Sequence, residues 1–315
     1  MNVLHVASEV APFSKTGGLG DVLGSLPRAL LRTGEARTLV VSARYGSIDT
    51  AQYGLARRLR KLTVQLGAMR FEIAMFEGKL HGSGPAVPVY LIEHPLFSER
   101  PGLYGPPDRS AQDYGDSALR FALLLRAALA VAEDIGFKPD IVHAHDWQAA
   151  LAVYYARKYG TFGGARLATV FTVHNLLFRG LFRLGEVADL GVLPEDLGPE
   201  GVEFYGQGAL IKAGLKFAHR VTTVSPRYAD EIRTPEFGYG MEGVMQSLGG
   251  RLSGILNGAD YERWSPWLDP LLPAHYGAPP DKADALDDAA FLAAMAGKAR
   301  CKAELQRELG LYTRP

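Results

Sequence analysis

Apolar and polar positions along the chain follow two periods in turn. Short aliphatic or β-branched runs, "NVLHVAS", "ARTLVVSA", "DIVHAHD", "RLATVFTVHN", "HRVTTVS" and "GRLSGILNG", predict strands. Longer stretches with apolar residues at helical spacing lie between them, among them "LGDVLGSLPRALLRTG", "WQAALAVYYARKYG" and "PRYADEIRT", the last with Pro226 suited to a first helical turn. Runs apolar on both faces and joined by helices predict a Rossmann-like, doubly wound α/β fold with a mainly parallel sheet covered on each side. Between about residues 59 and 93 the runs "LRKLTVQLG", "MRFEIAMFEG" and "VPVYLIE" have no long helix between them and predict an inserted β-meander.

The last fifty residues differ. "WSPWLDPLLPAHYGAPPDKADALDD" is rich in Pro and Asp and carries no strand pattern, and an amphipathic helix is expected from about Phe291 to Leu309, ended by Gly310. The expected division is therefore a Rossmann-like domain over 1–262 and a linker with its helix over 263–315, leading to a second domain that this sequence does not contain.

Composition narrows the function. Lys plus Arg equal Asp plus Glu, 34 against 34, so no basic excess points to nucleic acid or anionic lipid. The most apolar segment, "LRFALLLRAALAVAEDIG", carries Arg120 and Arg126 and is too short to cross a bilayer, and the N-terminus lacks a basic signal region. The expectation is a soluble cytoplasmic protein with no membrane or nucleic-acid partner. One cysteine, Cys301, excludes an internal disulfide and reads as a thiol without a role.

The candidate chemistry sits where strands end. "APFSKTGGLGDV" places Lys15, Gly17 and Gly18 between the first strand and a helix opening at Leu19. Unpaired N–H groups at a helix start, with a lysine beside them, suit a phosphate; a tight turn with a solvated lysine fits the pattern equally. The spacing matches neither the dinucleotide nor the Walker glycine motif. In "DIVHAHDW", alternation puts His143 and His145 on one strand face with Asp146 at the strand end, and "TVFTVHN" repeats the arrangement with His174 and Asn175. Lys15, Asp146 and His174 are expected to converge on one cleft. A metal-dependent hydrolase using His143, His145 and Asp146 is the remote alternative. "TPEFGYGMEG" suits stacking on sugar rings or a plain turn, and "ILNGAD" sets Asn257 beyond another strand.

The motifs "ASEVAPFSKTGGLGDV", "HAHDW", "TVHN", "VTTVSPRYADEI", "TPEFGYGMEG" and "LNGAD" stand in the order found in bacterial glycogen synthases and plant starch synthases, and the chain resembles their N-terminal half throughout. The resemblance implies the N-terminal half of a GT-B fold and retaining transfer of glucose from ADP-glucose to the non-reducing end of an α-1,4-glucan, with no metal cofactor. It implies Lys15, Gly17 and Gly18 at the donor phosphates, His174 over the transferred glucose and Asp146 in support. Asp21, Asn257 and Tyr104 of "GLYGPPD" fall on the acceptor side. Ser42–Ala43 stands where the family usually has leucine–proline. Because the second domain of that family has no counterpart here, the chain alone is expected to be inactive, and a non-catalytic glucan-binding remnant is the alternative reading. A cleft face left bare also suggests self-association.

Overall fold

The protein is described by a computed structural model covering residues 1–82, 84–107, 113–162, 165–279, 282 and 285–313. It divides into two compact units, Met1–Asn257 and Gly258–Pro315.

The first unit opens with β1 (Asn2–Val6), α1 (Gly18–Arg32) and β2 (Arg37–Ala43). The expected meander follows as β3 (Ala56–Arg57), β4 (Leu62–Leu66), β5 (Met69–Leu80) and β6 (Val87–Glu93), with β5 antiparallel to β3, β4 and β6. After α2 (Pro95–Ser98) and α3 (Ser117–Asp134) come β7 (Ile141–His145), α4 (Ala150–Lys158), a short hairpin of β8 (Thr161–Phe162) with β9 (Ala165–Arg166), and β10 (Ala168–Val173). A small antiparallel sheet of β11 (Leu181–Phe182), β12 (Glu203–Phe204) and β13 (Gln207–Ala209) precedes α5 (Leu210–Phe217) and β14 (Arg220–Thr223). The unit closes with α6 (Pro226–Glu231), α7 (Pro235–Gly238), α8 (Glu242–Ser247) and β15 (Leu252–Gly254).

The main sheet has the order β15-β14-β10-β7-β1-β2-β6-β5-β3, with β4 also paired to β5. Every pairing from β15 to β6 is parallel. Parallel strands need helices over both faces, which is why these strands are apolar on both sides rather than alternating. Leu4, Val6, Leu39 and Val41 face one way and Val3, Val40 the other, and all six are buried. α3 is buried around most of its girth, from Phe121 through Ala132. Its Arg120 is fully buried, donating to the carbonyls of Leu96 at 2.9 Å and Leu103 at 3.1 Å with its guanidinium over the rings of Phe97, Tyr114 and Phe121. A buried cation needs such partners, and here they fix the segment that carries Tyr104. α6 starts as its sequence predicts, with Pro226 in the first turn and Ser225 Oγ accepting the Tyr228 amide at 2.9 Å.

Within the second unit, α9 (Asp288–Glu308) is capped by the Asp287 carboxylate, with Gly310 beyond it at φ 64°. None of its residues is buried, so the apolar positions that read as one face of an amphipathic helix cover no core among the described residues. Half-buried Cys301 lies with its sulfur 3.0 Å from the Ala274 carbonyl. Part of the Pro/Asp-rich stretch, and Asp108 of "GLYGPPD", fall outside the described residues. Among the described residues no helix is long and apolar enough to cross a membrane.

Candidate active site at the centre of the sheet

The chain runs from β1 outward through β2 and β6, then returns to β7 and runs the other way through β10, β14 and β15. Strand order thus reverses between β1 and β7, and in open α/β sheets the crevice beyond the strand ends at such a point is where ligands bind. The loops after β1, β7 and β10 bring Lys15–Gly18, Asp146 and His174–Asn175 to that edge.

The loop after β1 is organised by a residue that motif reading passed over. Glu9 is buried, and its carboxylate accepts the Thr16 amide and hydroxyl, each at 2.6 Å, the Gly17 amide at 3.3 Å and the Tyr104 hydroxyl at 2.5 Å. The N–H of Gly17, expected to face a phosphate, therefore points to Glu9. The helix itself begins at Gly18, one residue before the expected Leu19. Gly17 and Gly18 have ordinary backbone angles, and a Cβ added to either meets nothing within 4 Å. Neither backbone nor packing demands glycine there, so the bareness is useful only to something approaching from outside. Gly24 differs: a Cβ would stand 2.9 Å from the Ala11 carbonyl, so this glycine seats α1 against the loop. Lys15 pairs with Asp21 across the first turn at 2.7 Å, which brings together two residues assigned to opposite sides of the site.

Asp146 has φ 59° and ψ 177°, a combination open essentially to glycine. From there its Oδ1 accepts the amides of His174 at 2.7 Å and Asn175 at 3.3 Å, so the end of β7 holds the end of β10. Burial pushes its carboxyl up to about 7 against the pull of those two amides. His174 is lowered to about 4 by burial and is uncharged at neutral pH.

Behind these residues lies a row of imidazoles. Register sets His5 of β1 opposite His143 of β7, and His145 opposite Thr172 of β10. The His143 and His145 rings stack at 4.1 Å, His143 Nε2 meets Thr172 Oγ1 at 2.7 Å, and His145 Nδ1 meets His174 Nε2 at 3.2 Å. His5, His143 and His145 are all lowered, chiefly by burial. The group with metal-ligand spacing among the described residues is His5, His143 and His145, not the His143, His145 and Asp146 of the remote hydrolase alternative. Near-parallel stacking, at 25°, aims the in-plane lone pairs of His143 and His145 side by side rather than at one point.

Tyr104 joins the site through Glu9 and through Ser8, whose hydroxyl lies 2.9 Å away. Asn257 lies exposed, three residues beyond β15, and belongs to neither the Glu9 nor the Asp146 network. Two contributors went unread in the sequence. The signal for Glu9 was a charge inside an apolar run; that for His5 was a polar residue in register with "HAH".

A parallel sheet with polar loops gathered at its switch point defines a Rossmann-like ligand-binding domain. The profile of the starch synthase catalytic domain matches residues 2–247. The glycogen synthases of Anaeromyxobacter sp. (strain Fw109-5) and Deinococcus radiodurans are 46% and 45% identical, over 100% and 93% of this chain and 61% and 62% of their own lengths. The catalytic domain of starch synthase IV from Arabidopsis thaliana, solved bound to ADP and acarbose, superposes with a TM-score of 0.81 at 29% identity, covering all of this chain and 60% of that one. The chain belongs to the starch synthase catalytic-domain family, a family of glycosyltransferases with the GT-B fold. It spans about three fifths of the length of these relatives.

Proposed function

We propose that this chain forms the acceptor-side half of the active site of a glycogen or starch synthase, which transfers glucose from ADP-glucose to the non-reducing end of an α-1,4-glucan. What supports the reading is that the loops carrying Lys15, Asp146 and His174 follow β1, β7 and β10, three adjacent parallel strands at the switch point, and that Asp146 accepts the His174 amide. Lys15 and the start of α1 face the donor phosphates, neutral His174 packs over the transferred glucose, and Asp21, Tyr104, Asn175 and Asn257 bind hydroxyls. The bond from the anomeric carbon to phosphate breaks, a bond to the acceptor oxygen forms on the same face, and the acceptor proton passes to the leaving phosphate. The protein contributes position and charge stabilisation, without a metal ion. Because the chain spans about 61% of its relatives, we assign turnover to the longer protein and acceptor binding to this part.

Labelled glucose incorporation from ADP-glucose into glycogen, measured beside a full-length synthase, tests the assignment. The expected result is saturable maltooligosaccharide binding without incorporation. Incorporation at the full-length rate overturns the half-site reading; absence of glucan binding overturns the acceptor assignment.

A further inference from the structure

Two tyrosines hold backbone conformations that bulky residues rarely adopt: Tyr205 has φ 47° and Tyr239 has φ 50°. Each precedes a glycine also at positive φ, Gly206 at 80° and Gly240 at 84°. Tyr205–Gly206 is the two-residue connection of the β12–β13 hairpin, where Phe204 pairs with Gln207. Such turns favour Asn-Gly or Asp-Gly, and the left-handed region costs other residues about 1–2 kcal/mol. Burial does not offset that cost, since Tyr205 is 78% and Tyr239 39% exposed.

The two turns are neighbours. A Cβ on Gly240 would lie 3.1 Å from the Phe204 ring and 3.3 Å from the Tyr205 ring, so the bare glycine lets the turns close on each other. Arg179 donates to the Tyr239 carbonyl at 2.9 Å while its guanidinium stands 5.6 Å over Phe204, and Phe204 meets Tyr205 edge-on at 4.8 Å. The cluster borders the site: the Tyr228 hydroxyl accepts the amide of Leu176, two residues past His174, and feels both Tyr239 and Asp146 electrostatically.

We propose that Tyr205 and Tyr239 form a fixed aromatic platform for the distal sugar rings of an α-glucan whose end lies at His174. The proposal rests on the acceptor reading above. Tyrosine has only two side-chain torsions to fix and so loses little freedom on binding, and its flat apolar face with a hydroxyl tip suits the mixed surface of a pyranose. Arg179, bound to the Tyr239 carbonyl and stacked on the Phe204 ring, braces the two turns against each other.

The test is Tyr205→Asn, Tyr239→Asn and the double variant of the purified chain, because asparagine tolerates the left-handed turn while removing the ring. Calorimetric titration with maltotriose and maltoheptaose is read beside the thermal midpoint and light scattering. We expect maltoheptaose to bind about 3- to 10-fold more weakly per ring lost, maltotriose to bind as before, and the midpoint to hold or rise. Unchanged maltoheptaose affinity in the double variant, with the parent chain binding it, overturns the platform and leaves the acceptor reading standing. Equal losses for both sugars place the rings in the site itself and also overturn it. A change only in oligomeric mass makes the patch a self-contact. A parent chain that binds neither sugar removes both readings.

Discussion

Asp146 accepts the His174 amide at 2.7 Å from a backbone conformation natural only to glycine. Strain and hydrogen bonding oppose each other at one residue, and substitution separates them. Asp146→Ala loses the carboxylate and keeps the strain; Asp146→Gly loses the carboxylate and relieves it. Urea unfolding should show the glycine variant more stable than the alanine variant by about 1–3 kcal/mol. In both, the His174 and Asn175 amides should exchange hydrogen at least about tenfold faster, given about 1.5–3 kcal/mol for a bond to a charged acceptor. Equal stabilities would show that the backbone angle carries no cost.

Glu9 gathers four donors from two loops. Glu9→Gln keeps the shape but offers one acceptor oxygen and an N–H that faces donors. The expected loss is on the order of 1–3 kcal/mol, with the amides of Thr16 and Gly17 losing protection together. Protection lost at only one of them would mean the carboxylate does not act as a single clamp.

The two glycine positions on α1 and its loop should respond oppositely. Gly24→Ala drives a methyl to 2.9 Å from the Ala11 carbonyl and should lower stability by about 1–3 kcal/mol. Gly17→Ala meets open space, so stability should stay within about 0.5 kcal/mol while ADP binding weakens. An alanine at 17 that leaves nucleotide binding intact removes Gly17 from the donor site.

Acid should destabilise the fold through the imidazole row. His5, His143, His145 and His174 are all lowered from 6.5, His143 to about 3 and His174 to about 4. Between about pH 6.5 and 4 the unfolded chain binds protons that the native chain refuses, so stability falls with pH. Asp146 opposes this: raised from 3.8 to about 7, it binds a proton in the native state first, and its contribution is lost as pH rises through that window. Four groups outweigh one, so the urea midpoint should drop from pH 7 to 5. Asp146→Asn removes the opposing group and should steepen the drop; a shallower one contradicts the sign.

The sheet was legible because its residues obey one rule: strands buried on both faces have no freedom to be polar. His143 and His145 break that rule within a single strand, where alternation alone makes them visible. His5 breaks it too, but only the cross-strand register with His143 gives it meaning, and register is not written in one strand. Glu9 was visible as a misplaced charge, yet its partners Thr16 and Tyr104 stand 7 and 95 positions away. Tyr205 was hidden for another reason. "FYGQG" reads as the start of an apolar helix, while the turn is set by backbone angles that its tyrosine disfavours.

β1 lies between β2 and β7, pairing Val3 with Thr38 on one side and with Ile141 on the other. On the ribosome its second partner emerges only after more than a hundred further residues, on the order of ten seconds at about 5–20 residues per second. Throughout that interval the most central strand of the protein is an open edge. Slowing translation before residue 141 should therefore raise aggregation more than slowing it afterwards.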